Sequence, residues 1–130
     1  MTTPNSLLFS TTDEWVKVDG NTATIGISDY AQNSLSDIVF VEFKVSPDET
    51  VKKDAICVGV ESVKAAADVT SPVSGTITEI NEALVDAYAD INTDPYGSGW
   101  MFKVEMANPA ELDSLMDAAA YDKFCETRSH

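Results

Sequence analysis

Short runs of alternating or β-branched residues cover most of the chain and predict strands joined by turns. Residues 15–18 alternate between apolar and polar side chains, and Asp19-Gly20-Asn21 separates them from a second such run at residues 22–27. An Asp-Gly step between alternating runs is typical of a β-hairpin. The same patterning predicts further strands at residues 38–43, 55–61, 73–80 and 100–105.

Helices are predicted at the edges of this β-rich pattern. Residues 28–35 form a short predicted helix, with Asp29 as its cap and Gln32 three positions on. A C-terminal helical extension is predicted over residues 109–126, with Asn108 as N-cap and Pro109 at the first helical position. In it, Glu111 completes a capping box, and one packing face carries Leu112, Leu115, Met116 and Ala119.

The order of these elements predicts one mainly β domain. Many short strands with turn signals and few helices favour a sandwich or barrel. A chain of 130 residues fits a single domain over residues 1–130, of which 1–12 are a lead-in ending in a short strand. Residues 81–99 are predicted as a helical turn followed by a loop.

Charge and composition exclude several classes of function. The chain has 22 Asp and Glu against 8 Lys and Arg, a formal net charge of -14, which argues against nucleic acid and anionic membrane surfaces as partners. The apolar runs are too short to span a membrane, and the N-terminus has neither the apolar core of a secretory signal nor the arginines of a transit peptide. We therefore expect a bacterial cytoplasmic protein.

Few residues offer catalytic or metal-binding chemistry. Cys57 and Cys125 form no CxxC pair, and the single histidine, His130, is the last residue. A zinc site or a Cys–His nucleophile in this chain would need a histidine held by packing. No catalytic or metal site is predicted, and Cys57 is interpreted as a small core residue.

Lys64 differs from the other six lysines in its setting. It stands between two strand-like runs and is followed by Ala65, Ala66 and Ala67. A lysine there projects from a turn, and the pattern alone leaves two interpretations open, a solvated loop tip and a modified side chain.

The segment around Lys64 resembles a known signature. Gly59-Val60-Glu61-Ser62-Val63-Lys64-Ala65 is similar to the lipoylation motif of the glycine cleavage H-protein family. The resemblance covers most of the chain and is specific because its blocks occur together and in order. Those blocks also include Asp13-Glu14-Trp15-Val16, residues 26–32 and 37–42, Ser71-Pro72-Val73-Ser74-Gly75, residues 81–84, residues 94–100 and the helix at 109–116.

The resemblance implies a fold, a cofactor and a carrier role. The fold is a lipoyl/biotinyl-type flattened β-barrel of two small antiparallel sheets, with short helices and a C-terminal helix. Lipoic acid is amide-linked to Lys64, which is framed by Glu61, Ser62, Val63 and Ala65. The protein is then no enzyme: it takes the aminomethyl group of glycine from glycine decarboxylase (P protein) to aminomethyltransferase (T protein). It delivers reducing equivalents to dihydrolipoyl dehydrogenase (L protein), and a lipoate ligase or octanoyltransferase attaches the arm.

The resemblance also implies shelter for the loaded arm against the barrel surface. A carboxylate there would hold the cationic amine by a charge-assisted hydrogen bond. Glu14 and Asp68 are the candidates, with Thr12 and Ser34 as neutral neighbours, and the alternative for each carboxylate is a solvated surface position. Trp15 is expected in the core. The chain departs from the family pattern at Asp13, where a histidine is frequent, at Asn33-Ser34, and at Ser36, where the helix often ends in glycine.

Other functions compete with this interpretation. The chain could relay octanoyl or lipoyl groups in lipoate metabolism, or act as the lipoyl module of another complex. A biotin carrier usually has methionine on both sides of the lysine, whereas this chain has Val63 and Ala65. An enzyme using Glu14, Glu61 and Asp68 as acids, or a structural protein with an unmodified Lys64, are the remaining alternatives.

Overall fold

Two antiparallel sheets form the body of the protein. The computed structural model describes residues 6–128, so His130 and the first five residues of the predicted lead-in lie outside it. The described strands are β1 Leu8–Phe9, β2 Glu14–Asp19, β3 Thr22–Ile27, β4 Ile38–Phe43, β5 Thr50–Val51, β6 Ile56–Ser62, β7 Ala66–Thr70, β8 Gly75–Ile80 and β9 Phe102–Met106.

The sheets differ in size and together make a flattened barrel that does not close. The larger has the strand order β1-β2-β3-β9-β8-β5, and the smaller has the order β4-β6-β7. This arrangement confirms the predicted fold class. Strand β7 was missed by the sequence pattern because its Ala66-Ala67-Asp68 start has low β-propensity, and pairing with β6 forms it instead.

The predicted hairpin at residues 15–27 is confirmed. β2 and β3 pair from Glu14↔Ile27 to Asp19↔Thr22, which leaves a two-residue turn. Gly20 takes φ 62°, the left-handed region that a primed hairpin turn requires at its first central position. The turn fixes the register, and the register places Glu14 and Trp15 at the far end of the hairpin.

Helices α1 Asp29–Leu35, α2 Asp90–Thr93 and α3 Ala118–Glu126 lie outside the sheets, with 3₁₀ turns at Glu82–Val85 and Pro109–Ser114. The cap predicted for α1 is wrong. The side chain of Ser28, not Asp29, accepts from the Ala31 N–H, and Asp29 instead accepts from the Gln32 amide. None of the helices between residues 6 and 128 is long and apolar enough to cross a membrane.

The single helix predicted over residues 109–126 is also wrong, because the segment breaks in the middle. Met116 exchanges two backbone hydrogen bonds of 2.8 Å with Phe9, so the chain is extended there. Asp117 then caps α3 by accepting from the Ala120 N–H. Glu111 makes no capping box; its carboxylate accepts from the Ser74 N–H and hydroxyl at 2.7 and 2.9 Å.

The main core lies between the two sheets and is mostly aliphatic, with Phe102 as its one buried aromatic ring among residues 6–128. A second, aromatic cluster joins β1 and β2 to α3, with the rings of Phe9 and Tyr121 stacked at 4.4 Å. Trp15 is buried there as predicted, and its indole N–H donates to the Pro95 carbonyl at 2.9 Å. This cluster anchors the strand end that carries Glu14.

Candidate functional site

Lys64 lies at the middle of a tight hairpin loop. Strand β6 ends at Ser62 and β7 begins at Ala66, so three residues connect them. The Lys64 side chain is exposed, and the ion pairs found within residues 6–128 involve Lys44, Lys103 and Arg128 instead. The amine at this loop is therefore open to solvent.

Ser62 holds the loop in shape. Its backbone N–H donates to the Ala65 carbonyl at 2.8 Å, and its hydroxyl donates to the same oxygen at 3.0 Å. The hydroxyl also accepts from the N–H groups of Ala65 and Lys64, at 3.0 and 3.3 Å. A serine hydroxyl can make these local bonds simultaneously because it is both donor and acceptor.

A contact to a second strand fixes the loop further. The Val63 N–H donates to the Asp37 carbonyl at 3.0 Å, just before β4 begins. Glu61 pairs with Ala66 across the hairpin and is exposed, as is Ala65. The base of the loop is thus rigid, while small side chains leave the space around Lys64 open.

Glu14, a candidate carboxylate from the sequence, is buried in the structure. The alternative of a solvated surface carboxylate is wrong for it, since only 1% of the residue is exposed. Burial raises the pKa of its carboxyl above the ordinary value, against the opposing effect of hydrogen bonds from Ser10, Thr12 and Thr70. The ion pairs found within residues 6–128 do not include Glu14, so its charged form has neutral donors but no cation to balance it.

The two oxygens of Glu14 are held differently. Oε1 accepts short bonds from the hydroxyls of Ser10, at 2.6 Å, and Thr12, at 2.5 Å. Oε2 accepts two long bonds from the N–H and hydroxyl of Thr70, at 3.3 and 3.4 Å. Oε2 is therefore the oxygen from which a new donor can most readily displace the existing ones.

Ser10 and Thr70 are site residues that the sequence did not indicate. Ser10 is buried and also accepts from the Glu14 N–H at 3.0 Å, and Thr70 comes from β7, 56 positions along the chain. No recognisable sequence motif marks the tight bend that brings Ser10 back to Glu14. The hydrogen bonds from Thr70 to Glu14 are long-range contacts, which a local sequence pattern does not record. A cleft of about 150 Å³ opens beside this group, lined also by Lys53, Pro72 and Leu115.

The structure brings together only part of the predicted cradle. Thr12 touches Glu14, as described. Asp68 is exposed on β7, two residues before Thr70 and hence on the same face of that strand. Ser34 is exposed on α1, and the hydrogen bonds of Glu14 within residues 6–128 do not include it.

Asp13, which departs from the family pattern, has a structural role. Its carboxylate accepts two hydrogen bonds from the Arg128 guanidinium, at 2.5 and 2.9 Å, and one from the Tyr121 hydroxyl at 2.8 Å. The guanidinium also lies over the rings of Tyr30 and Phe124. The arrangement ties the end of α3 to the residue that precedes Glu14.

Neither cysteine offers a reactive thiolate at this site. Cys57 is fully buried in the main core, which confirms its interpretation as a core residue, and burial raises the pKa of its thiol to about 11. Cys125 is buried in the aromatic cluster near the end of α3. Within residues 6–128 no group of three or more His, Cys, Asp or Glu side chains is placed to hold a metal ion.

Comparison with known proteins gives a consistent family. Residues 7–128 match the family model described as glycine cleavage H-protein. A glycine cleavage system H protein of Carboxydothermus hydrogenoformans is 50% identical over 123 residues, covering 95% of this chain and 94% of the relative. A mitochondrial one from Flaveria pringlei is 48% identical, covering 94% of this chain and 75% of the relative.

A solved structure agrees with the sequence relatives. The crystal structure of a glycine cleavage system H protein from Mycobacterium marinum superposes with a TM-score of 0.83 at 35% identity. It covers 92% of this chain and 96% of its own. The similarity therefore extends over the whole of both sheets and is not limited to the segment around Lys64.

Proposed function

Since the chain belongs to the glycine cleavage H-protein family, we infer that Lys64 is its lipoyl attachment point. The protein is a lipoyl carrier of the glycine cleavage system, and the octanoyl relay and the lipoyl module of another complex are not favoured. The observation that supports Lys64 is its place at the tip of an exposed loop whose base is fixed by Ser62 and Asp37.

The residues around Lys64 fit a covalently attached lipoyl group. The amine is exposed and the next two side chains are alanines, so both an attaching enzyme and a long arm have room. When bound, the group supplies a disulfide that can accept the aminomethyl cargo and later carry reducing equivalents. Glu61, Ser62, Val63 and Ala65 frame the attachment point, and among them Ser62 fixes the loop.

Attachment requires only ordinary chemistry of the Lys64 amine. In its neutral form, the nitrogen attacks the carbonyl carbon of an activated lipoyl ester. The C–N amide bond forms, the bond to the leaving group breaks, and the nitrogen loses a proton. The product is an uncharged amide, so modification removes one positive charge from the loop.

We propose the partners that such a carrier requires. The chain would receive its cargo from glycine decarboxylase, deliver it to aminomethyltransferase and be reoxidised by dihydrolipoyl dehydrogenase. A lipoate ligase or octanoyltransferase would attach the arm. This carrier role needs no catalytic centre of its own, and the bacterial relatives support a bacterial cytoplasmic setting.

We further propose that Glu14 shelters the cationic amine of the cargo when the arm folds back. The amine would bind at Oε2 in place of Thr70, because the bonds from Thr70 are long while those at Oε1 are short. Thr12 completes the proposed cradle, and Asp68 lies on β7 between the Lys64 loop and Thr70. We omit Ser34, since it is not among the hydrogen-bond partners of Glu14 within residues 6–128.

Intact mass tests the attachment site directly. Wild type, Lys64→Arg and Lys44→Arg are each incubated with a lipoate ligase, ATP and lipoic acid. A guanidinium is a poor nucleophile, so Lys64→Arg is expected to gain no mass while the other two gain one lipoyl increment. An increment on Lys64→Arg would show that the attachment site lies elsewhere.

The lifetime of loaded protein without its partners tests the cradle. Glu14→Gln and Asp68→Asn preserve shape but remove charge, and Glu105→Gln is the matched control at an exposed carboxylate on β9. Lifetimes shorter than wild type are expected for the first two variants and an unchanged one for the control. Equal lifetimes in all four proteins would eliminate the cradle and leave the assignment of Lys64 intact.

A further inference from the structure

Three exposed apolar side chains surround the base of the Lys64 loop. Val39 and Phe40 are each 47% exposed, and Val63 is 67% exposed. We call these three residues the turn patch. Other large apolar side chains exposed within residues 6–128, among them Val18 and Val85, lie on other elements.

Backbone contacts hold the turn patch together. The register of β4 and β6 shifts between Ile38 and Phe40, so Val39 lies in an irregularity of the strand. Phe40 pairs with Glu61, and the residue before β4 accepts the hydrogen bond from the Val63 N–H. Because the start of β4 lies beside the end of β6, Val39 and Phe40 are close to the loop that carries Lys64.

The patch continues into a shallow groove and lies on an edge strand. Within residues 6–128, β4 is an edge strand of the smaller sheet and pairs with β6 alone. Phe40 forms one wall of a groove of about 120 Å³ whose lining includes Gly59, Ala66 and Ala67. Since Phe40 is about half exposed at the edge of this groove, its ring is an anchor that another surface can enclose.

We propose that the turn patch is the docking surface for the enzyme that acylates Lys64. This inference rests on the proposed attachment at Lys64. An enzyme that joins a carboxyl group to the ε-amine must bring its active site within one lysine side chain of the loop, so it covers the neighbours of Lys64. Enzymes that act on the far end of the finished arm have their reacting atoms a full arm length from the loop and so need not cover those neighbours.

Charge defines the partner surface more closely. Carboxylates border the patch at Asp37, Glu61 and Asp68, all exposed, and the whole chain carries a net charge of -14. The partner should therefore offer an apolar depression for Phe40 with basic side chains at its rim. Apolar contact at the centre with charge pairing at the edge is the usual anatomy of a specific protein interface.

Acylation kinetics of the unmodified protein test the proposal. Phe40→Ser and Val63→Ser are compared with wild type for rate of mass gain with a lipoate ligase, ATP and lipoic acid. Val18→Ser is the matched control, because Val18 is similarly exposed, at 41%, but lies on β2 of the larger sheet. Truncating an interface anchor is expected to lower kcat/KM by roughly tenfold or more, chiefly through KM, and the control should stay within about twofold of wild type.

A second measurement separates the proposed docking from general damage and from other partners. Thermal unfolding checks the fold, and Val63→Ser, at the most exposed of the three positions, serves if Phe40→Ser unfolds. Phe40→Ser is also lipoylated to completion with excess ligase and then loaded by glycine decarboxylase, where a rate like that of wild type is expected. Unchanged acylation, or a loss confined to loading, would overturn the proposal, whereas acylation that persists in Lys64→Arg would refute the attachment site itself.

Discussion

Replacing Ser36 by glycine should stabilise this protein. Ser36 ends helix α1 with φ 67° and ψ -153°, a region of backbone space that is essentially restricted to glycine. A side chain held there costs on the order of 1–3 kcal/mol. The hydrogen bonds at Ser36 use its backbone, with its N–H donating to the Gln32 carbonyl and its carbonyl accepting from the Asn92 amide, so glycine preserves them.

The expected gain follows from two opposing contributions. Removing the Cβ relieves the strain, while the additional freedom of glycine in the unfolded chain costs about 0.5–1 kcal/mol. A net stabilisation of about 1 kcal/mol remains, which for a domain of this size raises Tm by roughly 4 °C. The relevant assays are thermal unfolding and urea titration of the unmodified protein.

A matched control lies two residues away. Ser34 is exposed within α1, where glycine costs about 0.5 kcal/mol relative to serine, so Ser34→Gly should lower Tm. Ser36→Ala keeps the Cβ and should leave the strain in place. If Ser36→Gly lowers Tm as Ser34→Gly does, the argument from backbone strain is wrong.

Three further outcomes are expected. Burial raises the pKa of the Glu14 carboxyl above its ordinary value of about 4.5, so between these two pKa values the folded state keeps a proton that the unfolded state has lost. The unfolding free energy of wild type should therefore fall, relative to that of Glu14→Gln, as pH rises through this range. A difference between the two proteins that stays constant with pH in urea titrations would contradict this. Arg128→Lys should lower the unfolding free energy by about 1 kcal/mol, since lysine keeps the charge but loses the paired bonds to Asp13 and the ring contacts; unchanged urea unfolding would refute it. The rate of aminomethyl loading should fall as salt rises, because a net charge of -14 steers the protein to basic surfaces over a Debye length of ~8 Å at physiological ionic strength; a rate that does not vary with salt would exclude such steering.

The sequence predicted the β2–β3 hairpin correctly, because the residues of its turn determine the local backbone conformation. The Asp-Gly step encodes its own hairpin because a primed turn needs residues that tolerate positive φ. Alternation did not set burial along β2, where residues 14–16 are all buried and residues 17–19 are all exposed. The helix predicted over residues 109–126 failed for the opposite reason. Its caps and spacing were locally favourable, but pairing between Met116 and Phe9 imposed an extended backbone in the middle.

Some features of the candidate site could likewise be predicted from local sequence, and others depend on tertiary contacts. The sequence by itself determined that Lys64 follows a strand, that small residues surround it and that its motif resembles one family, because these properties lie within seven consecutive residues. Only the tertiary structure decided that Glu14 is buried, that Ser10 and Thr70 hold it and that Val39 and Phe40 adjoin Val63. Burial and contact depend on which strands meet, and residues that are distant along the chain carry no local pattern that records the meeting.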